Sequence, residues 1–419
     1  MILGASVRAL AVSAHRAGWA VHAADLFCDL DVLAISTKAV SVADDHGDDE
    51  GGYPWSLRAA AASFPPTVAW CYTGALENHP DLVDAIASTR SLAGNPGAVL
   101  RKLRDPLQAS AAAAAAGLAF PETHLAPVGL PLDGSFLIKP LAGSGGRGIH
   151  RWTPEVASDH RRRHAHGLPF THAWQRFETG VALSAAYCLT HGTARLLGLS
   201  RQLIGEPWCH AGRFAWCGAV TLGPRPASRK YDRLTTALQR FGDVLSSQFH
   251  AVGLVGVDLV VNAAGRLVVI EINPRPTASM ELFERSGVCT IADSHLSACG
   301  FSSSTGLLAT QVPTQAAPVW VKAVLFAEQA TPVSPSLIDA MLLEAKAWTE
   351  ADGGWPALAD IPRPGQTLPA GGPAVTLFAA GRTADDAIAE LRGRVARVDA
   401  LLAATRGTPP EPARKADGG

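Results

Sequence analysis

The sequence predicts a multidomain protein of mixed α/β and α+β class, and three observations carry that expectation. The first third alternates short apolar runs with helical patterns. From Phe136 to about Asn273 strands dominate, interrupted by one long amphipathic helix, and a last α+β unit follows. A chain of 419 residues with 47% hydrophobic content suffices for about two to four domains with sizeable cores.

Taken in order, "MILGAS" reads as the end of a strand and its turn, with only three residues before Gly4, so the first strand is brief or truncated. "RALAVSAHRAG" reads as a helix closed by Gly18, and "AVHAADLF" as a second strand. "TVAWCYTG" and "DLVDAIASTRSLAGN" continue the alternation that builds an open parallel sheet. Asp25 stands where a dinucleotide-binding fold places its ribose acid, but "GASVRA" lacks the second and third glycines, so plain scaffolding is the better reading. "LQASAAAAAA" is an alanine-dense helix stopped by Gly117 and Pro121. "SRKYDRLTTALQRFGDVLSSQF" places Leu234, Leu238, Phe241 and Leu245 on one helical face. "HRRRHAH", His160 to His166, reads as a solvated loop rather than a metal or phosphate patch. "FSSSTGLLATQVPTQAAP" reads as a linker or flap. The strands "VWVKAVLFA" and "AVTLFAA" follow it, and Thr383 with Asp386 caps a helix running to about Thr405. The tail "GTPPEPARKADGG" has the composition of a disordered segment.

Composition excludes several function classes. Net charge is −1 and the pI is about 6.9, so no global field favours nucleic acid or an anionic membrane, and an anionic ligand needs a local site. Seven cysteines (28, 71, 188, 209, 217, 289 and 299) are scattered without a CxxC, which points to a reducing compartment and away from a disulfide framework or structural zinc. With no basic leader and no uncharged apolar run of membrane length, the expectation is a cytoplasmic protein that binds neither membrane nor nucleic acid.

Two stretches carry chemistry. In "FLIKPLAGSGGRGIH" four glycines crowd into the six positions Gly143 to Gly148, directly behind Lys139. Glycines let backbone N–H groups approach an anion closely. A Walker loop is excluded because Ile149 and His150, not Lys-Ser/Thr, follow the last glycine. A dinucleotide fingerprint is excluded because "GRGIHRW" continues as a strand rather than opening a helix. What remains is a glycine loop closing a strand hairpin, with a lysine at the end of the incoming strand.

The second stretch is "GLVGVDLVVNAAGRLVVIEINPRPTAS", two alternating strands around the turn "NAAG". Side chains repeat on one face every second residue, so Glu271 and Asn273 point the same way, and Asp258 lies opposite or diagonal to Glu271. Facing carboxylates repel unless a cation sits between them, and two carboxylates with an amide oxygen make a hard oxygen set suited to Mg²⁺, with Mn²⁺ as the alternative.

In this order and at these distances, "FLIKPLAGSGGRG", "WQRFETGVALSAAYCLTHG", "GVDLVV" and "VVIEINPRPTAS" resemble the ATP-grasp superfamily over roughly residues 1 to 300. "PRPGQTLPAGGPAVTLFAAGRTADDAIAEL" resembles the C-terminal portion of biotin carboxylase-like and related ligases. The resemblance implies an N-terminal open parallel-sheet domain (1–104) and a two-lobed nucleotide-binding α+β domain (105–300, small lobe to about 175). A linker with a small C-terminal α+β unit (301–405) and the tail 406–419 complete the expected division. It also implies ATP and Mg²⁺, activation of a small-molecule carboxylate as an acyl phosphate, and attack by an amine, with a homodimer as one assembly to test.

Residue by residue, the resemblance assigns Lys139 to the α- and β-phosphates and Gly143, Ser144, Gly145, Gly146 and Gly148 to the loop over the triphosphate. Gln175 and Phe177 take the adenine-pairing hinge, Glu178 a ribose contact, and Asp258, Glu271 and Asn273 the metal. Arg275 steadies the transferred phosphate. The chain departs from the family at two places: Pro106 stands where a further nucleotide lysine is usual, with Lys102 or Arg104 as substitutes, and Val181 and Ala182 follow Gly180 where a ribose acid is usual. The context "NPRPTASMELFERSG" resembles amino-acid-type ligases that build one-carbon carrier cofactors such as methanofuran and tetrahydromethanopterin. A biotin-carboxylase-like carboxylase and a catalytically silent nucleotide-binding module are the alternatives.

Overall fold

A computed structural model describes residues 1–42, 52–163, 171–222, 229–301 and 318–405. Most of the expected linker and the C-terminal tail lie outside these residues.

Four strands form the N-terminal sheet, in the order Lys38–Ser41, His22–Asp25, Ile2–Leu3, Cys71–Tyr72, with every pairing parallel. Apolar runs of this length, buried on both faces, need helices on each side, and Arg8–Arg16 and Pro80–Ala87 supply them. The first strand is two residues long, Ile2–Leu3. Gly18 closes the first helix with φ +83°, a conformation that favours glycine.

The small lobe is a four-stranded antiparallel sheet in the order Thr123–His124, His172–Arg176, Phe136–Pro140, His150–Arg151. Phe136, Ile138, Trp152 and Trp174 pack on one side of it. The expected loop at His160 is corrected here: His160 to Arg163 end the helix Pro154–Arg163, and His160 is buried edge-on against Trp152 and Trp174. The aromatic pocket supplies the burial, which a charge count cannot register. Residues 164–166 lie outside the described set.

The large sheet has eight strands in the order Leu267–Asn273, Gly253–Asn262, Gly180–Thr190, Thr193–Ile204, Trp216–Thr221, Val319–Phe326, Pro373–Gly381, Leu358–Ala359, each antiparallel to its neighbours. The helix Arg229–Ser247 covers one face through Leu238, Phe241 and Leu245, joined by Ala109, Ala112 and Ala113 of the helix Pro106–Ala115. The long C-terminal strands join this sheet, and the short strands Thr331–Pro332 and Thr367–Leu368 pair apart from it. Val319–Phe326 pairs with Trp216–Thr221 and covers an edge that would otherwise present unpaired backbone groups. Thr383 caps the last helix, Ala384–Ala404, by accepting from the Asp386 N–H at 3.1 Å.

Candidate functional site

Asp258 and Glu271 are direct partners across the antiparallel hairpin, and Asn273 faces Gly256. The turn is fixed by Asn262, whose side-chain oxygen accepts from the N–H groups of Ala264 and Arg266 at 3.1 and 3.0 Å. Gly256 has to be small, because a Cβ there would lie 2.5 Å from the Thr277 side chain.

The two carboxylates are tuned in opposite directions. Burial and the neighbouring Glu271 charge push Asp258 up to about 6. Its oxygens accept from Gln202 Nε2 at 2.6 Å and Asn273 Nδ2 at 3.1 Å. Burial also raises Glu271, but Arg104 and Lys139 outweigh it and hold this carboxyl below its usual range. Arg104 pairs directly with Glu271, and Lys139 Nζ lies 3.9 Å from it while donating to Gln175 Oε1 at 3.1 Å. Among the described residues no group of three His, Cys, Asp or Glu side chains could hold a metal. The donor set here is two carboxylates and an amide. It fits Mg²⁺, since a cation at the Asp258–Glu271 pair would relieve a buried like-charge contact.

Sequence left Lys102 and Arg104 as alternatives, and helix phase separates them. In the helix Gly97–Arg104 the buried residues Val99, Leu100 and Leu103 face the domain; Lys102 is exposed and does not reach the cleft. Arg104, four residues after Leu100, does. Its guanidinium donates to Asn78 Oδ1 at 3.1 Å, to the carbonyls of Ile272 and Gly143 at 3.2 Å each, and to Glu271. Pro106 takes the first position of the next helix, with Asp105 capping it by accepting from the Leu107 and Gln108 N–H groups. A proline with its missing donor suits that position.

The glycine loop lies over this cleft. Gly145, Gly146 and Gly148 have φ of +63°, +81° and +72°. The Gly145 carbonyl accepts from the Trp216 N–H at 3.1 Å, and a Cβ on Gly146 would stand 1.8 Å from the Phe214 carbonyl oxygen. The loop is therefore docked on the segment 214–216 by contacts only glycine permits. Lys139, Gly143, Ser144, Gly145, Gly146 and Gln175 line one cleft together with Glu271 and Arg104.

The expected hinge residues diverge. Gln175 is buried in the cleft wall. The Phe177 N–H is spent on the Ser135 carbonyl at 2.8 Å, and its ring lies between the Arg151 guanidinium and Phe214. Neither Phe177 nor Glu178 lines the cleft.

Arg275 lines a second chamber instead, which meets the first cleft at Ser144, Gly145 and Arg147. Its Nε lies 2.7 Å from Glu77 Oε1, an ion pair without hydrogen-bond alignment, and Nη1 donates to the Pro276 carbonyl at 3.1 Å. Sequence reasoning missed Gln202, Asn78 and a buried network at the base of this chamber. In that network Arg8 bonds Asp360 (2.9 and 3.1 Å) and Glu281, and Glu281 also takes Lys322. Burial raises the Glu281 carboxyl, but Arg8 and Lys322 pull it down to about 2.

A lysine and a glycine loop on one lobe thus face Glu271 of the large sheet and Arg104 across one cleft. Residues 108–279 match the family model of the ATP-grasp domain. The chain is similar to the biotin carboxylase domain of 2-oxoglutarate carboxylase from Hydrogenobacter thermophilus, a complex with MgADP, ADP and bicarbonate (12% identity, 97% of this chain and 94% of that one, TM-score 0.69). It is similar to N5-carboxyaminoimidazole synthetase from Staphylococcus aureus bound to ADP (14%, 94% and 96%, TM-score 0.64) and to L-amino acid ligase from Bacillus licheniformis (16%, 94% and 96%, TM-score 0.64). No curated protein matches the chain by sequence. Residues 108–279 carry an ATP-grasp domain, and the chain shares the overall fold of these structures along nearly its whole length. Among the described residues no helix is long and apolar enough to cross a membrane.

Proposed function

We propose that the protein is an ATP-dependent ligase that activates a small-molecule carboxylate as an acyl phosphate and joins it to an amine, releasing ADP and phosphate. One observation carries this reading: the cleft lined by Lys139, Arg104 and Glu271 adjoins, at Ser144, Gly145 and Arg147, a chamber of about 400 Å³. That volume is suited to a small organic molecule beside the phosphates.

In this reading Lys139 and Arg104, placed on Glu271 in the structure, share their charge with the phosphates of bound nucleotide, and the backbone N–H groups of the glycine loop close over them. Asp258, Glu271 and Asn273 would hold Mg²⁺, with Mn²⁺ as substitute. Bound there, the metal neutralises phosphate charge and aligns the transferred group. Arg275, at the mouth of the chamber, presents a fork that can meet two oxygens of the transferred phosphoryl group. Gln175, in the cleft wall, would stand on the adenine side.

The H. thermophilus structure includes bicarbonate. A chamber of about 400 Å³ walled by Phe27, Val324, Phe326 and Leu368 exceeds what bicarbonate needs, and this favours an organic substrate. Seven free cysteines fit a cytoplasmic setting. A place in one-carbon cofactor assembly rests on the sequence resemblance around "NPRPTASMELFERSG" alone.

The test is ADP release from MgATP against paired panels of carboxylates and amines. Release that requires one of each, and that Glu271→Gln abolishes without unfolding the protein, is the expected result. Release driven by bicarbonate alone, or near-normal turnover in Glu271→Gln, would overturn the reading.

A further inference from the structure

The second chamber carries a group that the nucleotide chemistry does not use. Its wall is largely apolar, with Phe27, Val324, Phe326 and Leu368 among its lining, yet Asp29 also lines it. Asp29 is 6% exposed and begins the helix Leu30–Ile35 without capping it through its side chain. Its carboxylate has no hydrogen-bond or ion-pair partner among the described residues, whereas every acid around it is engaged. Asp25 accepts from the N–H groups of Val7 and Cys28, at 3.1 and 2.6 Å. Asp31 accepts from those of Asp360 and Ile361, at 2.9 and 3.3 Å. Asp360 is held by Arg8 at 2.9 Å. The nearby cation, Arg8, has its guanidinium spent on Asp360 and Glu281, and Lys322 is spent on Glu281. The Arg8 guanidinium thus already meets three carboxylates, those of Asp31, Asp360 and Glu281. Burial, and then the charges of Asp360, Asp31 and Asp25, push the Asp29 carboxyl up to about 8.

Among the described residues no cation bonds Asp29, so with its carboxyl pushed up to about 8 it keeps its proton near neutral pH; a ligand cation in the chamber would favour the ionised form instead. We propose that the chamber is the site of an organic ammonium substrate, an apolar body whose –NH₃⁺ group pairs with Asp29. Arg147 and Arg275 also line the chamber, Arg147 where it adjoins the nucleotide cleft, while Arg8 and Lys322 line it with their charges already met by Asp360 and Glu281. An ammonium meets Asp29 with a charge-assisted hydrogen bond in place of water, and the apolar wall takes the remainder of the molecule. The inference extends the ligase reading by naming a substrate class, and it rests on that reading only for what the substrate is for.

The experiment uses the full chain and three probes of one shape: n-hexylamine, hexanoate and 1-hexanol. Binding is measured by isothermal titration calorimetry with and without MgADP. Hexylamine should bind at least tenfold tighter than either counterpart. Asp29→Asn should weaken hexylamine at least tenfold while leaving MgADP affinity within twofold. Equal affinities for the three probes, no binding by any of them, or unchanged hexylamine affinity in Asp29→Asn would each overturn the proposal. The probe ranking in the wild-type protein decides the matter even if the variant fails to fold. Loss of MgADP binding in wild type would defeat the nucleotide reading instead, and the ranking of the three probes would still judge this one.

Discussion

Replacing Arg104 by lysine keeps a positive charge beside Glu271 and removes the fork. The guanidinium donates at once to Asn78, Glu271, Ile272 and Gly143, and only the Gly143 bond, at 3.2 Å, reaches the glycine loop. A lysine ammonium that retains Glu271 cannot also span to that carbonyl. A hydrogen bond from a charged donor contributes about 1.5–3 kcal/mol. Asn78 Nδ2 still donates to the same carbonyl at 3.2 Å, so at about 1.4 kcal/mol per tenfold the lower end applies and the loop shifts toward opening by roughly 10-fold. The assay needs no substrate, because Arg147 is an exposed trypsin site inside the loop. Cleavage through transient opening follows the open population, so the rate of cutting after Arg147 should rise by that factor in Arg104→Lys. Lys102→Ala, on the exposed side of the same helix, should leave it unchanged. A rate within twofold of wild type in Arg104→Lys would refute the assignment of Arg104 as the residue that ties loop to cleft.

Gly146→Ala should lower ADP release by at least tenfold, because its φ of +81° and a Cβ 1.8 Å from the Phe214 oxygen prevent the loop from docking; unchanged turnover would mean the docked loop is not the working state. Glu281→Gln should destabilise the protein by about 3 kcal/mol at neutral pH, the worth of moving a carboxyl from 4.5 to about 2, because it leaves Lys322 buried without its counter-ion and Arg8 with one acid fewer. The Glu281 carboxyl is depressed in the fold, so its contribution is complete above about pH 4.5 and is lost as pH falls toward 2. Urea unfolding should show the gap between variant and wild type closing over that range, and a gap independent of pH would discount the ion pair.

The hairpin carrying Asp258 and Glu271 was legible because a strand has a period of two and "NAAG" fixes the turn; the pairing of those two residues is the register that alternation allows. The choice between Lys102 and Arg104 was also recoverable. Leu100, Leu103 and Arg104 share the i, i+3, i+4 face of one helix, a spacing that puts Lys102 outside. Phe177 was harder, because its N–H is engaged by Ser135 from a neighbouring strand and hinge position alone does not show that. The network of Arg8, Glu281 and Asp360 was not legible at all. Its partners lie 273 and 352 residues apart, and each looks in sequence like an ordinary surface charge. Asp29 was hidden for the same reason: its isolation follows from the partners its neighbours find elsewhere.

The loop explains how two cavities can act as one site. Ser144, Gly145 and Arg147 line both of them, and Trp216, whose N–H holds the Gly145 carbonyl, lines the chamber. An occupant of the chamber therefore touches the surface on which the loop docks, and a polyphosphate in the cleft touches the loop from the other side. Each ligand favours the same docked loop, so each lowers the ordering cost left for the other. Coupling of this kind is reciprocal wherever two ligands favour the same arrangement of one element. Chemistry between the two cavities then waits on both being filled. On the ligase reading, an activated carboxylate formed while the loop is open would face water, whereas one formed beneath a docked loop would face the chamber. The glycines that sequence shows first thus stand where the two cavities adjoin.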